Sequence, residues 1–146
     1  MSAVLDLTAV RSYFPEITRL AQTGADTNAQ GDAASSRSVF YENGGGSKRV
    51  TISVDRYGDA AAAASAYASA RKKSEEVPNF KALKVPNLGA RTFAGTVTMK
   101  GETHIGLGVL SGDFVVGATL AGFDASHASA SKLVSMSRAE VALLNP

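Results

Sequence analysis

The sequence predicts an α+β domain in which helices pack on a mainly antiparallel β-sheet. Short segments that alternate apolar and polar residues are typical of strands, and longer segments with helical spacing or many alanines favour helices. The composition, 45% hydrophobic and 19% charged over 146 residues, is typical of one soluble globular domain. We therefore expect residues 1–146 to form a single domain with the element order α-β-β-α-β-β-β-β-α.

The first segment, residues 6–23, is expected to be helical. Asp6 or Thr8 can cap the helix, and Pro15 predicts a kink or a division into two short helices. One apolar stripe recurs at three- and four-residue spacing: Val10, Tyr13, Phe14, Ile17 and Leu20. The polar stretch that follows, residues 24–37, is expected to be a mobile loop.

Two strands, residues 38–43 and 48–55, are predicted to form a hairpin around Gly44-Gly45-Gly46-Ser47. A glycine-rich segment before a lysine can also indicate a phosphate-binding loop. That motif leads into a helix, whereas Lys48 leads into alternating Val50, Ile52 and Val54. The pattern therefore favours a hairpin connection.

The clearest helix covers residues 60–76, because Asp59 is a good cap and the alanine run has the highest helix propensity. Pro78 ends it, and a short strand is expected over residues 80–85. The small residues of the helix are expected to pack flat on the aliphatic face of the sheet. The alternative is that the alanines of this helix form an interaction surface.

Three antiparallel strands are expected next, over residues 91–100, 103–110 and 114–123, joined by tight glycine-containing turns. The last helix is expected over residues 124–144. Asp124 or Ser126 can cap it, and a capping-box pattern at residues 137–140 indicates that it could break there.

Alternation within the strands divides their residues into two faces. The face expected to carry the helices is aliphatic: Val50, Ile52, Val54, Phe93, Val97, Met99, Ile105, Leu107, Val109, Phe114, Val116 and Leu120. The other face is made mainly of threonine, serine, glycine and alanine, with one histidine. It can be a solvent-facing side, a surface for close helix approach, or a shallow groove for a ligand or partner. For the groove, the candidate ligand-binding residues are Thr92, Thr96, His104 and Thr119.

Cysteine and histidine chemistry is limited in this chain. No cysteine is present, which excludes disulfides, thiolate metal sites and cysteine nucleophiles. The two histidines, His104 on a strand and His127 in the last helix, have no second ligand at metal-binding spacing. We therefore expect no bound metal.

Other catalytic and cofactor motifs are also missing from the sequence. No Gly-x-Ser-x-Gly motif occurs, and Gly106-Leu107-Gly108 lies inside a strand, unlike a dinucleotide-binding turn. Asp55, Asp59 and Asp113 stand at strand ends and caps, and no pair of carboxylates indicates a general acid and base. We expect no catalytic residues and no cofactor.

The net charge and the hydropathy of the chain limit the kinds of partner that it is expected to bind. The net charge is +2, and the basic cluster Arg71-Lys72-Lys73 ends a helix, where cations complement the helix dipole, so no nucleic-acid partner is expected. No apolar run approaches the roughly 20 residues that span a bilayer. Met1-Ser2-Ala3 does not begin a signal peptide, so the chain is expected to be cytoplasmic or to start after a removed signal.

Several phrases resemble small exported actinobacterial lipoprotein and kinase-sensor domains. Residues 54–62, VDRYGDAAA, resemble their step from a strand into an alanine-rich helix, and residues 85–93, VPNLGARTF, resemble their V-P-G-L-G-D-x-A-Y step. Residues 110–116, LSGDFVV, resemble their R-x-G-N-x-V-V hairpin, and LTAV at residues 7–10 resembles the L-T-x-x-E-V of their first helix. The chain departs from them in having Asn87 where glycine is usual, no paired cysteines and no lipobox.

This resemblance implies an α/β/α sandwich similar to the photosystem extrinsic-subunit (PsbP-like) fold and a location in the cell envelope. It implies no catalytic residue. The leading hypothesis is a non-catalytic ligand-binding or sensor and interaction module, which holds a small or amphipathic ligand or a protein partner against the sheet.

Two alternatives stay open. One is a small α+β enzyme with a pocket around the polar sheet face, which would use His104 or Asp113. The other is a structural or assembly subunit that forms a homodimer through an edge strand or through the alanine-rich helix.

Overall fold

The computed structural model describes residues 3–89 and 91–145. Residues 1, 2, 90 and 146 lie outside the described residues. Three predictions therefore fall partly outside them: the single domain over residues 1–146, the interpretation of Met1-Ser2-Ala3, and the motif at residues 85–93. The helices are α1 (Leu7–Tyr13), α2 (Ala60–Glu75) and α3 (His127–Leu144). The strands are β1 (Arg19–Gly24), β2 (Ser35–Glu42), β3 (Arg49–Arg56), β4 (Lys81–Leu83), β5 (Arg91–Met99), β6 (Glu102–Ser111) and β7 (Phe114–Ala121).

The strands form one seven-stranded sheet in the order β1-β2-β3-β7-β6-β5-β4. Every neighbouring pair is antiparallel. Helices pack on both faces of this sheet: α1 and α3 on one, α2 on the other. The predicted fold class, an α+β fold with helices on a mainly antiparallel sheet, is confirmed.

We call the two sides of the sheet the α1/α3 face and the α2 face. Large buried aliphatic residues fill the α1/α3 face: Val50, Ile52, Val54, Ile105, Leu107, Val109, Val116 and Leu120. They pack against α1, α3 and the edge-to-face pair of Phe14 and Phe123. The α2 face has a smaller buried cluster, in which Ala63, Ala66 and Tyr67 of α2 contact Leu110 and Phe93.

The prediction of a helix over residues 6–23 is wrong for its second half. The helix α1 ends at Tyr13, and residues 19–24 form β1, an edge strand paired with β2. Helical conformation is disfavoured for a residue before proline, and Phe14 precedes Pro15. Ile17 is buried, whereas Leu20 is exposed, so the apolar stripe does not continue along one helical face.

Local signals predicted most of the other elements, but β2 begins at Ser35, inside the segment of residues 24–37 that was expected to be a loop. Asp59 caps α2, with its side chain accepting from Ala62 N at 2.7 Å. Ser126 caps α3 by accepting from Ser129 N at 3.1 Å. The break expected near residues 137–140 is absent: α3 is continuous, and Ser137 is buried inside it.

Two predicted faces are wrong. Phe93, Val97 and Met99 of β5 do not lie on the aliphatic face of the sheet, and α2 does not pack on that face. In the β5–β6 register Thr96 pairs with Ile105 and Phe93 pairs with Gly108, so Phe93 lies on the α2 face. Alternation assigns residues to two groups but does not decide which group faces which helix. The Phe93 ring occupies the space that a side chain at position 108 would need. Gly108 on β6 therefore leaves room for the Phe93 ring of β5, which packs in turn against Tyr67 of α2.

Candidate functional site

A cavity of about 600 Å³ lies between α2 and the α2 face of the sheet. Five strands, β2, β3, β7, β6 and β5, contribute to its floor, and residues of α2 and of the segment after it form its roof. The loop of residues 25–34 closes one end through Asp26, Thr27, Asn28 and Gln30. The groove expected on the polar face of the sheet is therefore a covered cavity.

Glycines keep the floor of the cavity low. A side chain at Gly106 would meet only Thr119 Oγ1, at 4.0 Å from the Cβ position, so the space above Gly106 is open. At Gly95 the corresponding space is filled by the Phe80 ring. The floor is therefore open above Gly106, and the rings of Phe80 and Phe93 contribute to the lining beside it.

The roof of the cavity, like its floor, is formed largely by small side chains. Ala66 and Ala70 of α2 line the cavity with side chains of one carbon, and Ser74 follows on the same side. Tyr67 anchors the helix beside the cavity, where its ring packs edge-to-face on Phe93 with centroids 5.4 Å apart. A helix of small residues thus approaches the sheet while leaving volume beneath it.

Two large apolar side chains lining the cavity are exposed. Phe40 on β2 is 38% exposed and Met99 on β5 is 48% exposed. Val97 of β5 and Val77 after α2 also line the wall. Much of the lining is therefore apolar, and part of it is accessible from solvent.

Two carboxyl groups, which we call the carboxyl pair, meet at the end of the cavity closed by the loop. Asp55 of β3 is only 4% exposed, and Asp26 comes from the loop. Burial raises the pKa of Asp55 to about 7; the adjacent Asp26 carboxyl raises it as well, whereas a hydrogen bond from Ser36 opposes the rise. The backbone N–H of Asn28 donates to Asp26 Oδ1 at 3.0 Å and orients that carboxyl.

Tyr57 lines the same end of the cavity as the carboxyl pair. Its hydroxyl donates to the carbonyl oxygen of Gln30 at 2.6 Å, which fixes the loop against the end of β3. Burial raises the pKa of Tyr57, and so does the charge of Asp55.

Of the four residues predicted from the sequence to bind a ligand, the structure brings two to the cavity. His104 lines it, with Nε2 3.0 Å from Glu102 Oε1, and Glu102 also pairs with Arg49. Thr119 lines it between its cross-strand partners Thr51 and Gly106.

Thr92 and Thr96 lie on the α1/α3 side of β5, away from the cavity. Thr92 Oγ1 accepts from Leu88 N at 2.8 Å and donates to Asn87 Oδ1 at 3.2 Å, so it holds the turn before β5. It also borders a separate depression of about 170 Å³. Asp113, considered for an enzyme, pairs with Arg56 at 3.2 Å and is not part of the cavity lining.

The sequence analysis missed the carboxyl pair. Asp55 was assigned a structural role at a strand end, and Asp26 lies in a loop without any periodic pattern. The available signal was that Asp55 alternates with Thr51 and Ser53 on the polar side of β3. A charged residue there is expected to face either solvent or a polar site, and only the folded loop shows which.

Residues 3–89 and 91–145 contain neither a cluster of metal ligands nor a helix that could span a membrane. No group of three or more histidine, aspartate or glutamate residues there could hold a metal ion. None of the helices described is long and apolar enough to cross a membrane.

Known structures share the fold. The extracellular domain of PknH from Mycobacterium tuberculosis superposes with a TM-score of 0.66 at 11% identity, over 95% of this chain and 92% of that chain. A GTP binding regulator from Thermotoga maritima gives a TM-score of 0.47 at 12% identity, over 90% of this chain and 87% of that chain. No protein-family profile and no curated protein sequence matches this chain.

The likeness to PknH shows a shared fold alone, because the identity is low. The predicted resemblance is therefore confirmed in its coarser form, a fold shared with an extracellular domain. Its lipoprotein and PsbP-like parts stay predictions.

Proposed function

We propose that this protein is a non-catalytic binding module that holds an amphipathic ligand in the cavity beneath α2. The observation that carries the proposal is the cavity itself, about 600 Å³ between a glycine floor and an alanine roof. Ligand sites in proteins are concave, mostly apolar and of about 300–1,000 Å³, with a few polar groups that orient the ligand. The carboxyl pair and His104 are such groups.

A packing defect does not account for this cavity. Protein interiors are packed as densely as organic crystals and leave few voids larger than a water molecule. The α1/α3 face of the same sheet follows that rule, since its aliphatic residues are almost completely buried. On the α2 face, by contrast, Phe40 and Met99 stay partly exposed beside the open space. An apolar ligand group placed against either side chain would remove it from solvent.

The likeness to the extracellular domain of PknH supports placing the module outside the cytoplasm. In this proposal the ligand reaches the cavity from the extracytoplasmic side, and the loop of residues 25–34 forms one wall of the bound state. His104 and Thr119 contact the ligand from the floor.

Native mass spectrometry tests the proposal. The purified protein is expected to carry an additional mass that is lost on denaturation, or to gain one when decanol is added. The variant Gly106→Val fills the space above the floor and is expected to lose this adduct. The matched control Gly24→Val places the same side chain on the exposed edge strand β1, where it meets nothing within 4 Å, and is expected to keep it. Equal adducts in both variants would refute binding in the cavity.

A further inference from the structure

The acidic end of the cavity combines burial with an unsatisfied acceptor. Asp55 Oδ1 is buried and has no hydrogen-bond donor among the described residues. Buried polar atoms are nearly always paired, so an unpaired carboxylate oxygen in a residue that lines a cavity indicates a missing donor. The groups that face Asp55 are Asp26 from the loop, Ser36 from β2 and Tyr57 after β3.

The charge at this end is also uncompensated. The titratable side chains that line the cavity are the carboxyl pair, Tyr57 and His104, and no lysine or arginine of the described chain lines it. Because the pKa of Asp55 is raised to about 7 by burial and by Asp26, this carboxyl holds a proton in about half of the molecules at pH 7 and in most of them at lower pH. Above pH 7 the structure therefore offers a buried negative charge at Asp55.

From this geometry we propose that the ligand is an amphiphile with a protonated amine, whose ammonium group binds between Asp55 and Asp26 while its apolar part lies along the floor of the cavity toward Phe40. The assignment rests on the proposed binding function. An ammonium group supplies both the missing donor and the missing positive charge, and hydrogen bonds between charged partners are shorter and stronger than neutral ones.

A divalent metal fits the same end less well. Calcium takes 6–8 oxygen ligands, and magnesium requires near-octahedral coordination, whereas only two carboxyl groups meet here. No third acidic or histidine ligand joins them among residues 3–89 and 91–145. An anionic amphiphile is disfavoured as well, because its head group would face the carboxyl pair without a cation.

Isothermal titration calorimetry with three probes of equal chain length tests the assignment at pH 7.5: decylammonium and decanoate below their micelle concentrations, and decanol below its solubility limit. Decylammonium is expected to bind about tenfold or more tightly than decanol, as for a charge-assisted hydrogen bond, and decanoate more weakly than decanol. Equal affinities for decylammonium and decanol would overturn the assignment.

Variants locate the preference. Asp55→Asn keeps the shape of the side chain and removes its charge, so the preference for decylammonium over decanol is expected to fall to about twofold or less. Asp32→Asn removes an exposed carboxyl of the same loop that does not line the cavity, and is expected to keep the full preference. Asp26→Asn provides a second test if Asp55→Asn does not fold. A preference retained in both Asp55→Asn and Asp26→Asn would overturn the assignment.

The pH dependence supplies a readout that a merely structural role would not move. Binding of an ammonium group displaces the proton held by Asp55, so decylammonium is expected to bind more tightly at pH 8 than at pH 6 and to release protons into the buffer. Decanol is expected to show neither effect. Proton release that is the same for both probes would contradict the proposal.

The outcomes separate this inference from the function on which it rests. If decanol binds and Gly106→Val abolishes its binding, but decylammonium has no advantage, only the ammonium assignment fails. If none of the probes binds and the protein carries no adduct, the binding function fails.

Discussion

The two faces of the sheet solve the same packing problem in different ways. On the α1/α3 face, large aliphatic residues fill the space beneath two helices, and Val50, Val109 and Leu120 are fully buried. On the α2 face, glycines and alanines bring the helix close to the sheet and leave an open volume. The comparison shows that one sheet can have a densely packed core on one side and an open cavity on the other.

The largest expected effect compares apolar truncations on the two faces. Leu120→Ala removes a completely buried side chain and is expected to lower the free energy of unfolding by about 2–5 kcal/mol. Met99→Ala removes a half-exposed side chain of similar size beside the cavity, and is expected to change it by about 0.5 kcal/mol or less. Denaturant unfolding monitored by circular dichroism measures both. Equal losses would contradict the division between a packed face and an open one.

The next effect concerns Asp55 and its pH dependence. The pKa of Asp55 is raised from 3.8 to about 7, so between about pH 4 and pH 7 the folded protein holds a proton that the unfolded chain has released. This group therefore costs stability as the pH rises through that window, and the cost is constant above it. Asp55→Asn is expected to raise the free energy of unfolding by about 1–3 kcal/mol at pH 8 and to change it little at pH 4.

Unfolding curves at the two pH values, with Asp32→Asn as the control, measure this gain. A gain of the same size at both pH values would show that ionisation of Asp55 is not its cause.

A second buried carboxyl, on the α1/α3 face of the sheet, can be compared directly with Asp55. Glu140 of α3 is 1% exposed, and burial raises its pKa to about 7, while a hydrogen bond from Leu5 N at 2.9 Å and the charge of Arg37 act in the opposite direction. The pKa of Glu140 also lies above its usual value, 4.5. As for Asp55, this group therefore costs stability as the pH rises from about 4.5 to about 7. Glu140→Gln keeps the acceptor for Leu5 N, so its gain at pH 8 is expected to be smaller, about 1 kcal/mol.

The same unfolding measurements at pH 8 rank the two variants. A larger gain for Glu140→Gln than for Asp55→Asn would mean that the adjacent carboxyl of Asp26 does not destabilise ionised Asp55.

The smallest effect is a gain from filling the open floor. Gly106→Val adds a β-branched residue to the middle of a strand, where glycine is unfavourable, and the site has room for it. We expect a rise of about 0.5–1 kcal/mol in the free energy of unfolding together with the loss of the ligand adduct. Thermal unfolding of the ligand-free proteins measures it. A clear loss of stability would show that the cavity has no room above Gly106.

The sequence determined the elements whose signals are local. Asp59, the alanine run and Pro78 bound α2, and glycine turns and alternation define the hairpins, because these depend on the conformational preferences of neighbouring residues. His104 and Thr119 were predicted for a site on the polar side of the sheet, and both line the cavity. Their role in binding stays a prediction.

The tertiary structure decided what depends on distant partners. Residues 19–24 became a strand because β2 offers them an edge, although their spacing continued a helical pattern. Pairing with β6 placed Phe93 and Val97, rather than Thr92 and Thr96, on the α2 face, because alternation fixes two groups and only the register fixes their direction. Asp26 and Asp55 meet because the loop folds over the end of β3, where burial and charge act through space rather than along the chain.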